Sequence, residues 1–133
     1  MKFLFDTNAI VTFLNGKSLA LREKIKKCAP DDFAMCSVVW GELFFGAAKS
    51  KEKQKTIDKV NAFSGTFRNL DFDKEAAFHY GEIRADLEKT GNIIGPNDLM
   101  IAAIARSRNL ILITNNVDEF QRVKDLKIED WTV

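Results

Sequence analysis

Three carboxylates in this 133-residue chain stand where a solvated charge is out of place. Asp6 ends the apolar run Phe3-Leu4-Phe5, Glu42 interrupts the apolar stretch VVWGELFFGAA, and Asp98 opens the segment that contains LMIAAIA. Brought together, three such groups repel one another unless they are protonated or a cation neutralises them. A hard divalent ion is the simplest remedy, because Mg²⁺ or Mn²⁺ takes oxygen ligands and keeps waters that can be activated for attack at phosphorus. Zinc is disfavoured: the chain has one histidine, His79, and two cysteines, Cys28 and Cys36, without zinc-site spacing. Each acid also has an ordinary structural use, Asp6 as a helix cap, Asp98 as a first-turn residue favoured by the helix dipole, and Glu42 as the partner of a lysine. Residue types alone leave both uses open.

An alternation of strands and helices could bring the three together. Phe3 to Phe5 reads as a strand, and Asp6, Thr7 and Asn8 can cap a helix through Ile10, Val11, Phe13 and Leu14, ended by Asn15 and Gly16. Leu19 to Cys28 resumes a helical pattern until Pro30 breaks it, and Phe33 to Cys36 is a short strand. Ser37 can cap a largely buried helix over VVWGELFFGAAKS, and residues 50 to 67 place Ile57, Val60, Phe63 and Phe67 at helical spacing. Leu70 and Phe72 allow a brief strand, after which Asp73 opens a helix with the stripe Ala76, Tyr80, Ile83 and Leu87, ended by Gly91. Pro96 opens a helix from Asn97 or Asp98 to about Arg106. Leu110 to Ile113 is the strongest strand candidate, followed by Thr114, Asn115 and Asn116, a short helix through Phe120 and an edge segment near Leu126 to Ile128.

This order predicts an α/β fold, a three-layer α/β/α sandwich around a small parallel sheet of four or five strands. In such a fold the strand ends and the starts of the following helices share one edge of the sheet, where ligands collect. Asp6 and Asp98 can converge there, and Glu42, about one turn into its helix, can join them.

Composition narrows the class. Eleven Phe and two Trp against seven Gly and two Pro exclude a disordered or fibrous chain, and the length suits one domain spanning 1–133. The start MKFLFD meets an acid too early for a signal peptide, and no apolar run approaches the roughly 18 residues of a membrane span. With two cysteines expected as reduced thiols, a cytoplasmic protein without membrane attachment is expected. The formal charge of +1 hides an asymmetry: residues 1–70 carry twelve Lys and Arg against seven Asp and Glu. The excess gathers at Lys24, Lys26 and Lys27 and at Lys49, Lys51, Lys53, Lys55 and Lys59, as either a solvated helix face or a rim that contacts phosphates. No glycine-rich phosphate loop or dinucleotide fingerprint is present, and His79 reads as a surface or boundary residue.

The strings FDTNAI at 5–10, SVVWGELFFGA at 37–47, GPNDLMIAA at 95–103 and LITNNVDEFQRV through LKIEDW at 112–131 resemble the successive motifs of VapC-type PIN-domain toxins, over essentially the full chain. The resemblance implies a PIN-like fold and a metal-dependent endoribonuclease that leaves 5′-phosphate and 3′-hydroxyl ends on structured RNA, often tRNA. It assigns Asp6, Glu42 and Asp98 as the metal-holding carboxylates for Mg²⁺, with Mn²⁺ as a substitute. Asn116 falls where many relatives have a fourth acid, and Glu119 matches an acid retained in a closer subgroup. Thr114 and Asn8 match polar residues that orient water or the carboxylates. The same resemblance implies a homodimer, inhibition by a VapB-like antitoxin, and contact with operator DNA only through that antitoxin. For the RNA itself, Lys49, Lys51, Lys53 and Lys55 are the candidate phosphate contacts. Trp40 is expected in packing rather than base stacking.

Other classes are weighed against this one, among them a receiver-like signalling domain, which would need a different acidic pair and a phosphorylatable aspartate. A phosphatase of the haloacid dehalogenase type also places an aspartate after its first strand but requires DxD, whereas Asp6 is followed by Thr7 and Asn8. A catalytically inactive PIN-fold module that binds RNA or protein would account for Asn116 in place of a fourth acid; metal-dependent cleavage separates it from an enzyme.

Overall fold

Five short strands, β1 (Phe3–Phe5), β2 (Phe33–Cys36), β3 (Arg68–Leu70), β4 (Ile111–Ile113) and β5 (Lys127–Glu129), form one all-parallel sheet in the order β3-β2-β1-β4-β5 in the computed structural model, which describes residues 1–133. Seven helices connect them: α1 (Thr7–Leu14), α2 (Leu19–Lys26), α3 (Ser37–Lys49), α4 (Lys53–Ser64), α5 (Lys74–Thr90), α6 (Pro96–Ser107) and α7 (Val117–Phe120). The chain walks from β1 through β2 to β3 in one direction, then crosses back to lay β4 and β5 on the other side of β1. Parallel crossovers are right-handed as a rule, so a reversal of direction puts the helices of the two walks on opposite faces and gives the three layers expected from the sequence.

Local chemistry sets the helix ends. Asp6, in extended conformation, accepts the Ala9 amide and starts α1, while Asp73 accepts the Ala76 amide and starts α5. Pro96 occupies the first turn of α6, where no amide donor is needed. Gly91, at φ 69°, takes the left-handed turn that ends α5, and the next amide, of Asn92, reaches back to the Leu87 carbonyl.

One continuous core holds the layers together. On one side, Phe5 and Phe33 stack at 5.2 Å between centroids, and Phe67 and Trp131 meet them edge-on. Helix α6 is buried along Ile101–Ala105, as its all-apolar sequence requires. Arg106 then clamps α6 to its neighbours, donating to His79 Nδ1 at 2.9 Å, the Lys124 carbonyl at 3.1 Å and Glu82 at 3.3 Å.

Several boundaries differ from the sequence expectation, each for a packing reason. Ser37 does not cap α3; it is the first helical residue, and its hydroxyl donates to Asp71 instead. β3 lies at Arg68–Leu70 rather than at Leu70 to Phe72, because Leu70 pairs with Cys36 in the buried register while Phe72 packs on Tyr80. Helix α4 stops at Ser64, which frees Phe67 for the aromatic cluster, and Cys28 falls in the turn beyond α2.

Candidate active site

Strand order reverses at the β1–β4 pair, and in open parallel sheets the crevice at the carboxyl ends of such a pair is the natural ligand site. Asp6 and Thr114 are the first residues beyond β1 and β4. The Asp6 amide donates to the Ile113 carbonyl at 3.1 Å and the Thr114 amide to the Glu129 carbonyl at 3.0 Å, so Asp6, Thr114 and Asp130 follow one another across the sheet edge. Asp6 is 3% exposed; its Oδ1 accepts the Ala9 amide at 2.8 Å and its Oδ2 the Thr114 hydroxyl at 2.5 Å.

The other acids arrive on helices. Glu42, on α3, accepts the Thr7 hydroxyl at 2.6 Å. Asp98 lies in the first turn of α6, close enough to Glu119 of α7 for the two carboxylates to repel. Glu119 accepts the Gly95 amide at 3.1 Å and the Asn116 side-chain amide at 2.5 Å. Asn116, which stands where a fourth acid was expected, therefore holds Glu119 in place beside Asp98.

These groups feel one another. Burial pushes the Asp6 carboxyl up from 3.8 to about 6 against the hydrogen bonds from Thr114 and Ala9, with Glu42 and Asp130 adding repulsion. Burial also raises Asp98 from 3.8 to about 7, reinforced by the negative charges of Glu119, Asp6 and Glu42. The Asn116 and Gly95 donors hold Glu119 below its usual range. All four ion pairs of the chain lie elsewhere, so no lysine, arginine or histidine neutralises Asp6, Glu42, Asp98 or Glu119 at salt-bridge distance. The lysine partner considered for Glu42 is absent.

An oxygen-only carboxylate donor set with no protein cation at salt-bridge distance suits a hard divalent ion and not zinc. The side chains do not form a ready cage, since no three of them close on one point. Mg²⁺ needs no such cage, because it is commonly held by one or two carboxylates and retained waters.

The remaining predicted residues fall into two groups. Thr114 joins the cluster, whereas Asn8 is exposed and its side chain makes no hydrogen bond; the adjacent Thr7 holds a carboxylate in its stead. Lys49, Lys51, Lys53 and Lys55 are exposed where α3 passes into α4, with Lys49 4.7 Å above the Phe45 ring and Lys55 paired to Glu52. Lys59 instead lines a groove of about 270 Å³ between α1, α3 and α4 that Thr7 and Glu42 also border. Trp40 packs edge-on against Phe63. Sequence reasoning passed over Thr7, Gly95 and Asp130. Asp130 could have been found by its likeness to Asp6, since each is the first acid past a strand at the same sheet edge.

Fold and site define a parallel α/β protein with an acidic centre at its topological switch point. The PIN domain family model matches residues 3–126. The chain is 40% identical to a tRNA(fMet)-specific endonuclease VapC of Shigella flexneri, with 99% of each chain covered, and 37% identical to a ribonuclease VapC2 of Rickettsia felis, with 98% of each covered. Among solved structures it resembles DNA-bound VapBC from Salmonella typhimurium, with a TM-score of 0.93, 37% identity and 98% of each chain covered. It also resembles VapBC2 from Rickettsia felis bound to a promoter DNA fragment, with a TM-score of 0.92, 36% identity and 98% and 99% covered. The chain belongs to the PIN-domain family, in its VapC-type toxin branch.

Proposed function

We propose that residues 1–133 act as a single cytoplasmic domain, a divalent-metal-dependent endoribonuclease that serves as the toxin of a toxin–antitoxin pair. The observation that carries the proposal is the group of four carboxylates at the switch point with no protein cation at salt-bridge distance. Asp6 and Asp98 would hold Mg²⁺ or Mn²⁺, with Glu42 as a direct or water-mediated ligand and Glu119 positioning a second ion recruited with RNA. The bound ion supplies Lewis-acid polarisation of the scissile phosphate and a water of lowered pKa. Thr114 fixes Asp6 through its hydroxyl, and Asn116 fixes Glu119 beside Asp98. Water attacks phosphorus in line, the P–O3′ bond breaks, and O3′ takes up a proton, leaving 5′-phosphate and 3′-hydroxyl ends. No side chain serves as a covalent nucleophile.

The substrate class is structured RNA, and the named activity of the Shigella flexneri relative makes tRNA(fMet) the first candidate. The exposed lysines between α3 and α4 supply phosphate contacts. Phe45, 63% exposed beside Phe44 on α3, supports a homodimer. The VapBC assemblies of the relatives support a VapB-like antitoxin that carries the contact with operator DNA; a net charge of +1 does not favour this chain as the DNA reader. An inactive binding module is disfavoured because Glu119 supplies an acid where Asn116 lacks one.

Purified protein incubated with a tRNA pool tests the activity. Cleavage should stop with EDTA, return with Mg²⁺ or Mn²⁺, leave 5′-phosphates, and be absent in a folded Asp98→Asn variant. Full activity in EDTA or in that variant would overturn the proposal.

A further inference from the structure

Glu42 has a single polar partner. Its Oε1 accepts the Thr7 hydroxyl, and no other hydrogen bond or ion pair reaches it. The side chain stands between two openings. On one side lies the groove lined by Val11, Leu14, Gly46 and Lys59; on the other, a shelf formed by Val38, Gly41, Phe45 and Met100. Gly41 and Gly46, before and after Glu42 on α3, add no side chains of their own to either opening, and a Cβ at each would stand in open space. A half-buried glutamate with room on both sides and several rotatable bonds loses its orientation unless something fixes it.

Thr7 is well suited to fix it. It is the first residue of α1, and the preceding residue, Asp6, is anchored at the end of β1 by its own backbone and side-chain bonds. Its β-branched side chain has few rotamers, so the hydroxyl direction follows the helix start. A hydroxyl-to-carboxylate bond is among the stronger side-chain interactions.

We infer that Thr7 is a positioning residue of the site: its hydroxyl holds one oxygen of Glu42 and leaves the other free for a cation beside Asp6 and Asp98. This inference rests on the proposed metal-dependent activity. Two threonine hydroxyls then divide the task, Thr114 orienting Asp6 and Thr7 orienting Glu42. Groups that orient metal ligands typically contribute about 10- to 100-fold in metal affinity.

Calorimetric titration with Mn²⁺ tests the inference, comparing wild type with Thr7→Val, Thr7→Ala, Thr7→Ser, Glu42→Gln and the Thr7→Val/Glu42→Gln double variant. Thr7→Val and Thr7→Ala should weaken Mn²⁺ binding about 10-fold and lower kcat without raising KM for RNA, and Thr7→Ser should recover most of both. In the Glu42→Gln background, Thr7→Val should cause no further loss. If Thr7→Val, or Thr7→Ala should the valine variant not fold, binds Mn²⁺ like wild type, the inference is overturned and the proposed function stands. An equal loss with and without Glu42 also overturns it, since Thr7 would then act elsewhere. Wild-type Mn²⁺ binding by Glu42→Gln, with binding lost in Asp6→Asn, would remove the role assigned to Glu42 and this inference with it.

Discussion

Asp6→Asn should abolish cleavage and yet make the metal-free protein more stable at neutral pH. The Asp6 carboxyl is raised in the folded state from 3.8 to about 6. For an acid, a raised folded pKa means that the native state binds the proton more tightly than the unfolded chain, so stability is lost as pH climbs from 3.8 through about 6. At about 1.4 kcal/mol per pH unit, the full penalty is about 3 kcal/mol once the group is ionised. Asparagine carries no charge and caps a helix about as well as aspartate, so the Ala9 bond survives. One hydrogen-bonding direction toward Thr114 is lost, at about 1 kcal/mol. The net gain is about 2 kcal/mol above pH 7, a rise in Tm on the order of 5 °C or more. Thermal unfolding in EDTA from pH 4 to 8 measures it. The two proteins should have similar stability near pH 4 and diverge as pH rises, and millimolar Mg²⁺ should narrow the gap by stabilising only the wild type. An Asp6→Asn protein less stable than wild type at pH 7.5 would show that Asp6 is a structural cap and refute the reasoning.

Four further outcomes follow from named contacts. Asn116→Asp sets a second carboxylate against Glu119 in place of a donor at 2.5 Å, so metal-free stability at neutral pH should fall by about 1–2 kcal/mol while Mn²⁺ affinity holds or rises; Glu119→Gln should weaken Mn²⁺ binding, with urea unfolding and calorimetry as readouts. Arg106→Ala removes a side chain only 13% exposed with three anchoring acceptors, and should lower stability by about 2–3 kcal/mol in urea without changing Mn²⁺ affinity. Phe45→Ser should shift light scattering toward monomer at an unchanged Tm, because the ring is 63% exposed in the single chain.

The sequence carried most of the architecture because its apolar periods are clear. β1 and β2 fall at Phe3–Phe5 and Phe33–Cys36 as expected, and α6 is as buried as LMIAAIA demands. That Asp6, Glu42 and Asp98 could meet at one sheet edge was legible because Asp6 ends an apolar strand, Glu42 interrupts an apolar helix and Asp98 opens one. Helix capping was less legible, since Ser37 and Cys36 compete for one position and tertiary contact with Asp71 decides it. Thr7 could not be told from Asn8, because only the packing of α1 on α3 determines which side chain meets Glu42. Asn116 and Glu119 were read as separate positions, and their bond, which turns an apparent loss into a relocated acid, appears only in three dimensions.

Crystals of the protein grown with Mn²⁺ and a non-cleavable RNA, measured by anomalous scattering, test the account most directly. A peak roughly 2.0–2.3 Å from oxygens of both Asp6 and Asp98, with Glu42 direct or one water away, is the predicted result. RNA seated across the switch point with no ion among these carboxylates, in a protein that still cleaves RNA in solution, would contradict the account.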